Sequence, residues 1–173
     1  MMGGGQLGRM TALAAAELGY RCHIFTPEED SPAAHVSAAV TIADYDDKKA
    51  LAHFASRIDV CTFEFENVPF PSLAVVSARA PVRPGVRALR VSQDRIVEKR
   101  FLSAIGIPVA PHAAVRSAKA LARALDEIGR PAILKTTRLG YDGKGQVPIG
   151  PGTSAEDAWT RLGASLGILE KRI

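Results

Sequence analysis

The sequence predicts an α/β fold whose first part is a parallel sheet of the doubly wound, Rossmann-like kind. Short apolar runs that are typical of strands alternate there with segments of helical periodicity. A glycine-rich turn, Gly3-x-Gly5-x-x-Gly8, opens the first helix, which is predicted over 7–18 and ends before Gly19. Such a turn aims the amino terminus of a helix at an anion.

The elements that follow the turn are predicted from their periodicity as strands over 21–25, 40–42 and 60–65 and a helix over 46–57. We expect Asp44 or Asp46 to cap that helix. A strand normally precedes a glycine turn of this kind, but only Met1 and Met2 stand there, so we expect that strand to be missing.

The composition indicates a globular protein of the cytoplasm. The chain has 173 residues, of which 47% are hydrophobic, enough to bury a core. Its net charge of +4 comes from 22 basic and 18 acidic residues without a run of five like charges. This pattern favours an anionic small ligand over nucleic acid. No stretch approaches the length of a membrane span, so we expect no membrane partner.

The cysteines and histidines do not indicate a metal site. Cys22 and Cys61 lie in apolar runs, where a thiol behaves as a small hydrophobic side chain. The four histidines show no ligand spacing. We therefore expect a reducing compartment and no metal held by these residues.

The glycine turn is not expected to bind NAD. A dinucleotide fold needs an acidic residue at the end of its second strand, where it holds a ribose hydroxyl. Here that strand ends in Thr26-Pro27, and Glu28 and Glu29 lie beyond the proline. The turn is expected to face another phosphorylated or carboxylated ligand.

Two carboxylates mark the end of the predicted strand over 60–65. Glu64 and Glu66 share one face of the strand because side chains alternate with a period of two. Ligands of open α/β sheets bind where strands end, so Glu66 and Asn67 are candidates to meet a polar substrate beside the glycine turn. The alternative is that Glu66 caps the helix predicted from Ser72 onward.

The second part of the chain starts after the proline-rich segment 81–85, which interrupts the alternation. We therefore expect a first domain over 1–85 and a second over 86–173. The elements predicted in the second domain are helices over 94–105, 117–128 and 154–162, a strand over 131–136 with a hairpin partner over 146–149, and the start of a strand at 168–170. Pro148 should lie on an edge strand because proline cannot donate a ladder bond.

A lysine and a glycine-rich loop stand at the end of the strand over 131–136. The apolar run Ala132–Leu134 predicts a buried strand that carries Lys135 to its end. The segment 140–145 holds three glycines and a second lysine, Lys144, and is suited to a loop whose amides close on phosphate oxygens. We interpret the pair as a nucleotide-phosphate clamp; an ordinary hairpin with an Asp142-Gly143 turn is the alternative.

Five segments together resemble a known family. They are Gly-Gly-Gly-Gln-Leu-Gly-Arg-Met (3–10), Phe-Glu-Phe-Glu-Asn-Val-Pro (63–69), Gln-Asp-Arg (93–95) with Lys99 following, Gly-Ile-Pro-Val-Ala-Pro (106–111) and Leu-Lys-Thr-x-x-x-Gly-Tyr-Asp-Gly-Lys-Gly-Gln (134–146). In this order they closely resemble the 5-(carboxyamino)imidazole ribonucleotide synthases, ATP-grasp carboxylases of purine biosynthesis. The resemblance implies a Rossmann-like pre-ATP-grasp domain followed by the small α+β lid subdomain of an ATP-grasp domain, truncated before its C-terminal half.

The resemblance also implies an activity and its site residues. The family uses ATP, Mg²⁺ and bicarbonate to carboxylate the exocyclic amine of 5-aminoimidazole ribonucleotide, and it allows a homodimer. The positions that match ATP contacts are Arg95, Lys135, Gly140, Tyr141, Asp142, Gly143, Lys144, Gly145, Gln146 and Glu170. The positions that match ribonucleotide contacts are Gln6, Leu7 and Glu66. The Mg²⁺ ligands and the catalytic residues are expected outside this chain, which should therefore show no turnover alone.

Two other interpretations stay open. One is a related ATP-grasp ligase, such as the formate-dependent glycinamide ribonucleotide transformylase or a biotin carboxylase. Gln6-Leu7 favours the imidazole enzyme, because the transformylase typically has Glu-Leu at this position. The other is a non-catalytic α/β module that binds nucleotides.

Overall fold

The computed structural model describes residues 1–140 and 144–173. Within these residues the chain divides into two compact units, Met1–Arg90 and Val91–Ile173. The positions Tyr141, Asp142 and Gly143, and with them the alternative of an Asp142-Gly143 hairpin turn, lie outside the described residues. No helix among the described residues is long and apolar enough to cross a membrane.

The first unit is the parallel α/β part of the molecule. Its elements are α1 (Gln6–Glu17), β1 (His23–Thr26), a 3₁₀ turn (Ala34–Val36), β2 (Ala39–Ile42), α2 (Lys48–Ala55), α3 (Phe70–Ser77) and α4 (Val86–Ser92), which contains the boundary of the unit. Strands β1 and β2 pair in parallel, with His23 opposite Ala39. The parallel arrangement predicted from the alternation is therefore confirmed.

The first residues of the chain occupy a strand position in this sheet. Met2 forms parallel bridges to Phe25 on one side and Phe63 on the other, and its side chain is fully buried. The Met2 amide donates to the Thr62 carbonyl over 2.8 Å, and the Gly3 amide donates to the Phe25 carbonyl over 3.0 Å. Met1 and Met2 thus take a strand position before the glycine turn, where we expected the strand to be missing.

Two local predictions in the first unit are corrected by cap geometry. Helix α2 is capped by Asp47, whose Oδ1 accepts from the amides of Lys49 and Ala50, so neither Asp44 nor Asp46 is the cap. Helix α3 follows Pro69 and has no side-chain cap, so Glu66 does not cap it.

The predicted strand over 60–65 appears as isolated bridges rather than as a continuous strand. Cys61 pairs in parallel with Val82, and Phe63 pairs with Met2. Val82, from the proline-rich segment, is buried within the first unit. The core of this unit is apolar and lies between the sheet and helices α2 and α3; its largest fully buried side chains include Met2, Phe25, Leu51, Phe54 and Leu73.

The second unit carries an antiparallel sheet with helices. Its elements are α5 (Arg95–Ala104), β3 (His112–Val115), α6 (Ala118–Ile128), β4 (Ala132–Thr136), β5 (Gln146–Ile149), α7 (Ala155–Leu162) and β6 (Gly167–Lys171). The strand order is β3-β6-β4-β5. The predicted hairpin is confirmed, because β4 and β5 pair antiparallel, and Pro148 lies on the edge strand as expected.

Side-chain caps fix the helix starts in this unit. Asp94 accepts from the amides of Ile96 and Val97, and Ser117 and Ser154 cap the next two helices. Leu121, Leu134 and Leu169 lie in the core that helices α6 and α7 cover. Strand β3 was not among the predicted elements, whereas β6 extends the predicted strand start at 168–170 and lies inside the sheet.

Candidate functional site

Strand β4 carries Lys135 to a position beside Glu170 on the neighbouring strand. Lys135 lies opposite Ile168 of β6, and Glu170 lies opposite Ile133 of β4, so the two side chains are diagonal neighbours on one face. The Lys135 Nζ donates to the Glu170 Oε2 over 2.9 Å. Their side chains are 20% and 10% exposed, so the pair is largely removed from water.

A second lysine meets the same carboxylate oxygen. The Lys99 Nζ, from helix α5, lies 3.5 Å from the Glu170 Oε2, and its side chain is 16% exposed. Two ammonium groups around one carboxylate leave one positive charge in excess. Such a cluster attracts an anion and can hold it by charge-assisted hydrogen bonds. We call Lys99, Lys135 and Glu170 the lysine–carboxylate cluster.

Lys99 belongs to the segments that carry the family resemblance, but no role in the site was predicted for it. It lies four residues after Arg95 on α5, one helical turn further along the same side of the helix. The signal that could have found it is this spacing from Arg95.

Arg95 is bound to the beginning of the glycine-rich loop. Its Nη1 donates to the Thr136 carbonyl over 2.9 Å, and its Nη2 donates to the Gly140 carbonyl. Its backbone amide donates to the Thr137 carbonyl over 2.9 Å. The guanidinium thus fixes the place where the loop leaves β4.

The described ends of the loop are held close to Thr136. The Thr136 amide donates to the Gly145 carbonyl over 2.9 Å. Gly145 has φ +65°, and a Cβ at this position would lie 2.6 Å from the Thr136 Oγ1. Only glycine satisfies both conditions without strain. Lys144 is exposed, and Gln146 begins β5 opposite Lys135.

In the first unit, the glycine turn already holds a carboxylate. The Gly5 amide donates to the Glu64 Oε1 over 2.9 Å, and the Gly8 amide donates to the Glu64 Oε2 over 2.7 Å. The turn was expected to face a phosphorylated or carboxylated ligand. For these two amides that expectation is corrected, because the anion is a side chain of the protein itself.

The predicted ribonucleotide contacts lie around this turn. Gln6 and Leu7 are the first residues of α1 and are both exposed, Leu7 by 58%. Glu66 is half-buried and lies two residues beyond Glu64. The Glu64 amide donates to the Met2 carbonyl over 3.1 Å, which brings this segment alongside the chain that enters the turn.

Tyr45 is a residue near this turn that the sequence did not single out. Burial, followed by the negative charges of Glu64 and Glu28, raises the pKa of Tyr45 to about 12. The phenol therefore stays protonated and can donate a hydrogen bond throughout the physiological range. No local sequence signal marks it, because its neighbours come from distant segments.

The described residues hold no metal cluster, and a cavity in the first unit lies away from the glycine turn. Among the described residues, no group of three or more His, Cys, Asp or Glu side chains could hold a metal ion. A cavity of about 850 Å³ in the first unit lies at the edge of the sheet where β1 begins. The residues that line it include Cys22, Ala39 and Val60. The glycine turn lies after the opposite end of its strand, so this cavity is separate from it.

The two units match two domain families. Residues 1–93 match the ribonucleotide synthetase preATP-grasp domain, and residues 100–173 match the ATP-grasp domain. The chain belongs to the ribonucleotide synthetase preATP-grasp family. The fold class inferred from the five segments is thereby confirmed.

Two relatives of this chain are N5-carboxyaminoimidazole synthases, which confirms the family resemblance. This chain is 46% identical over 172 residues to the N5-carboxyaminoimidazole ribonucleotide synthase of Brucella melitensis. The matched region covers 98% of this chain and 48% of that protein. The Staphylococcus aureus N5-carboxyaminoimidazole synthetase complexed with ADP superposes with a TM-score of 0.92 at 35% identity, covering 99% of this chain and 46% of that one.

A third relative carries the ribonucleotide. The Aspergillus clavatus N5-carboxyaminoimidazole synthase in complex with ADP and 5-aminoimidazole ribonucleotide has a TM-score of 0.86 at 27% identity, with 99% of this preATP-grasp chain and 45% of that chain covered. The chain thus spans about half the length of these relatives.

Proposed function

We propose that this chain supplies the ribonucleotide-side domain and the first part of the ATP-grasp domain of a carboxylating ligase. The reaction is the ATP-dependent carboxylation of 5-aminoimidazole ribonucleotide by bicarbonate, in the biosynthesis of purines (IMP) in the cytoplasm. The observation that carries the proposal is the lysine–carboxylate cluster. Lys135 and Glu170 lie inside the segment that matches the ATP-grasp domain, and Lys99 directly precedes it.

The residues of the second unit fit a nucleoside triphosphate. In the cluster, two ammonium groups already bind an anionic oxygen, that of Glu170, and an incoming phosphate is an anion of the same kind. We assign the phosphate contacts to Lys135, Arg95 and the loop residues Gly140, Tyr141, Asp142, Gly143, Lys144, Gly145 and Gln146. Glu170 is assigned to the ribose or adenine region of ATP.

The ribonucleotide is assigned to the first unit. Gln6, Leu7 and Glu66 are exposed or half-buried around the glycine turn, and each offers a polar group, from its side chain or its backbone, at the edge where parallel strands end. Mg²⁺ would neutralise phosphate charge, and we assign its ligands to carboxylates outside this chain. A homodimer is compatible with this assignment but is not required by it.

The proposed chemistry divides the carboxylation into three steps. The γ-phosphoryl group of ATP passes to a bicarbonate oxygen, which gives ADP and carboxyphosphate. Carboxyphosphate breaks into carbon dioxide and phosphate, and the exocyclic amine attacks the carbon dioxide and loses a proton to give the carbamate. Within this chain, the glycine-rich loop would exclude water from the intermediate, and the lysines would offset negative charge on the phosphates.

Calorimetric titration of the chain with ATP tests the nucleotide assignment. Lys135→Met should weaken ATP binding by about tenfold or more, since it removes a charge-assisted contact. Lys119→Met changes an exposed lysine on α6 in the same way and should leave the affinity unchanged. Equal affinities in the wild type and Lys135→Met would contradict the proposal.

A second measurement tests whether this chain by itself catalyses the reaction. With ATP, bicarbonate and 5-aminoimidazole ribonucleotide, we expect no release of ADP above background, because the metal-binding carboxylates that stabilise phosphoryl transfer are assigned elsewhere. Release of ADP by the purified chain would show that this assignment is wrong.

A further inference from the structure

The glycine motif of the first unit has an internal partner that explains its spacing. Gly3, Gly5 and Gly8 all face the Glu64 side chain. A Cβ on Gly5 would lie 2.8 Å from the Glu64 Oε1, and a Cβ on Gly8 would lie 2.5 Å from the Oε2. A Cβ on Gly3 would overlap the Glu64 Cγ. The three glycines therefore leave the room that one carboxylate side chain occupies.

The Glu64 carboxylate also accepts hydrogen bonds from amides that have no acceptor within the helix. The first amides of an α-helix have no carbonyl partner within the helix. Glu64 accepts from the Gly5 amide, which precedes α1, and from the Gly8 amide in its first turn. Its two oxygens thereby span Gln6 and Leu7, the two residues between the bonded amides.

We propose that Glu64 is a positioning residue that fixes the backbone of Gln6 and Leu7. The expected consequence is that the exposed Gln6-Leu7 pair is presented to the ribonucleotide in one conformation. This consequence rests on the proposed function. Glu64 itself need not touch the ribonucleotide, because both of its oxygens are engaged by the turn. A preorganised turn lowers the ordering cost of binding.

The position of Glu64 in the chain supports this role. Its own amide is bonded to the Met2 carbonyl, directly after the bridge between Phe63 and Met2, so its backbone is anchored to the sheet. A side chain that starts from the sheet and ends on the turn transmits the position of the rigid sheet to the exposed residues. A mobile loop could not do so.

Amide hydrogen exchange, followed by NMR on the 173-residue chain, tests the proposal directly. The Gly5 and Gly8 amides should be protected in the wild type, since Glu64 is their acceptor. Glu64→Gln keeps the shape but places a donor group where one amide needs an acceptor, so protection of at least one of the two should fall by about tenfold. Glu64→Ala should expose both. Glu29→Gln, an exposed glutamate of the same unit, is the matched control and should change neither.

Two further variants separate positioning from a loss of folding. Gly8→Ala leaves Glu64 in place but pushes its carboxylate away, so it should expose the Gly8 amide in the same way. Added acetate should restore protection in Glu64→Ala, because a free carboxylate can fill the space, whereas acetamide should not. Protection that persists in both Glu64→Ala and Gly8→Ala would overturn the proposal.

Titration with 5-aminoimidazole ribonucleotide measures the consequence. In Glu64→Gln the dissociation constant should rise by about tenfold, and in Glu29→Gln it should stay unchanged. Exposed amides with an unchanged dissociation constant would overturn the positioning role. A wild-type chain that does not bind the ribonucleotide would contradict the proposed function, and the exchange data alone would then decide whether Glu64 fixes the turn.

Discussion

In each unit of the molecule a glutamate carboxylate binds positively polarised groups of the protein itself, but the partners differ in kind. Glu64 is bound by two backbone amides, whereas Glu170 is bound by two lysine side chains. Amides cannot move without moving the helix that carries them. Lysine side chains rotate freely and can pass to another anion. In the proposed function, the first unit therefore uses a carboxylate to fix a shape, and the second uses one to hold cations that can pass to ATP.

The largest expected effect would come from crowding Glu64. Gly3 has φ +103° and faces the Glu64 side chain, so Gly3→Ala should lower the free energy of unfolding by about 3 kcal/mol, from backbone strain and overpacking together. Gly19→Ala is the matched control, because Gly19 has φ +83° but nothing within 4 Å of the added Cβ. It should cost about 1 kcal/mol. Chemical denaturation measures both, and equal losses would show that Glu64 does not restrict the turn.

The next effect would come from neutralising the other carboxylate. Glu170→Gln leaves Lys99 and Lys135 without a counter-charge in a largely buried setting, so we expect a loss of about 2 kcal/mol in the free energy of unfolding. Added sulfate should restore part of this loss, because the lysines can bind it in place of the carboxylate. The corresponding variant of the first unit, Glu64→Gln, should gain nothing from sulfate, since its amides face a side chain that still fills the space. Equal recovery of both variants would remove the distinction between the units.

The sequence predicted the elements of both units well wherever the signal was local. The helices predicted from Asp94 and Ser117 begin where these residues cap them, because a cap depends only on the next three residues. Strand β3 has no such signal. His-Ala-Ala-Val is short and half-exposed, and it becomes a strand because β6 offers it an edge.

In the second unit, the position of Lys135 could be predicted because its signal is also local. In the first unit, the surroundings of the glycine turn could be predicted only in part. Lys135 follows an apolar strand, so its place at the strand end could be inferred from neighbouring residues. The glycine spacing also predicted an anion at the turn. It could not show that the anion is Glu64, because the bonded residues are 59 and 56 positions apart in the chain.

The first unit should also lose stability in acid, because it contains a buried histidine. His23, in the first unit, lies edge-on to Phe54 at 4.9 Å between ring centroids, and its ring is within hydrogen-bond distance of the Thr41 hydroxyl. Burial, and then the positive charges of the N-terminus, Arg57 and His53, lower the pKa of His23 from 6.5 to about 4. Since the unfolded chain binds this proton more readily, the stability contribution is complete above pH 6.5 and is lost as the pH falls towards 4. The full shift would correspond to about 3.4 kcal/mol, and screening by solvent lowers the expected loss to about 1.5 kcal/mol.

Denaturation curves across that pH range measure the effect. His23→Gln should remove this part of the pH dependence, while His35→Gln, which changes an exposed histidine paired with Asp30, should keep it. A pH dependence that is unchanged in His23→Gln would show that the acid response arises elsewhere.

The smallest expected effect concerns the two lysines of the cluster. Lys135 is 2.9 Å from the Glu170 Oε2 and donates a hydrogen bond, whereas Lys99 is 3.5 Å away. In double-mutant cycles with Glu170→Gln, the coupling free energy should be about 1 kcal/mol for Lys135→Met and about half of that for Lys99→Met. Both values should shrink when ATP is bound, because a lysine that has passed to a phosphate no longer depends on Glu170. Coupling energies that do not change with ATP would mean that the cluster is a fixed structural bridge, which would make Glu170 the counterpart of Glu64 rather than its contrast.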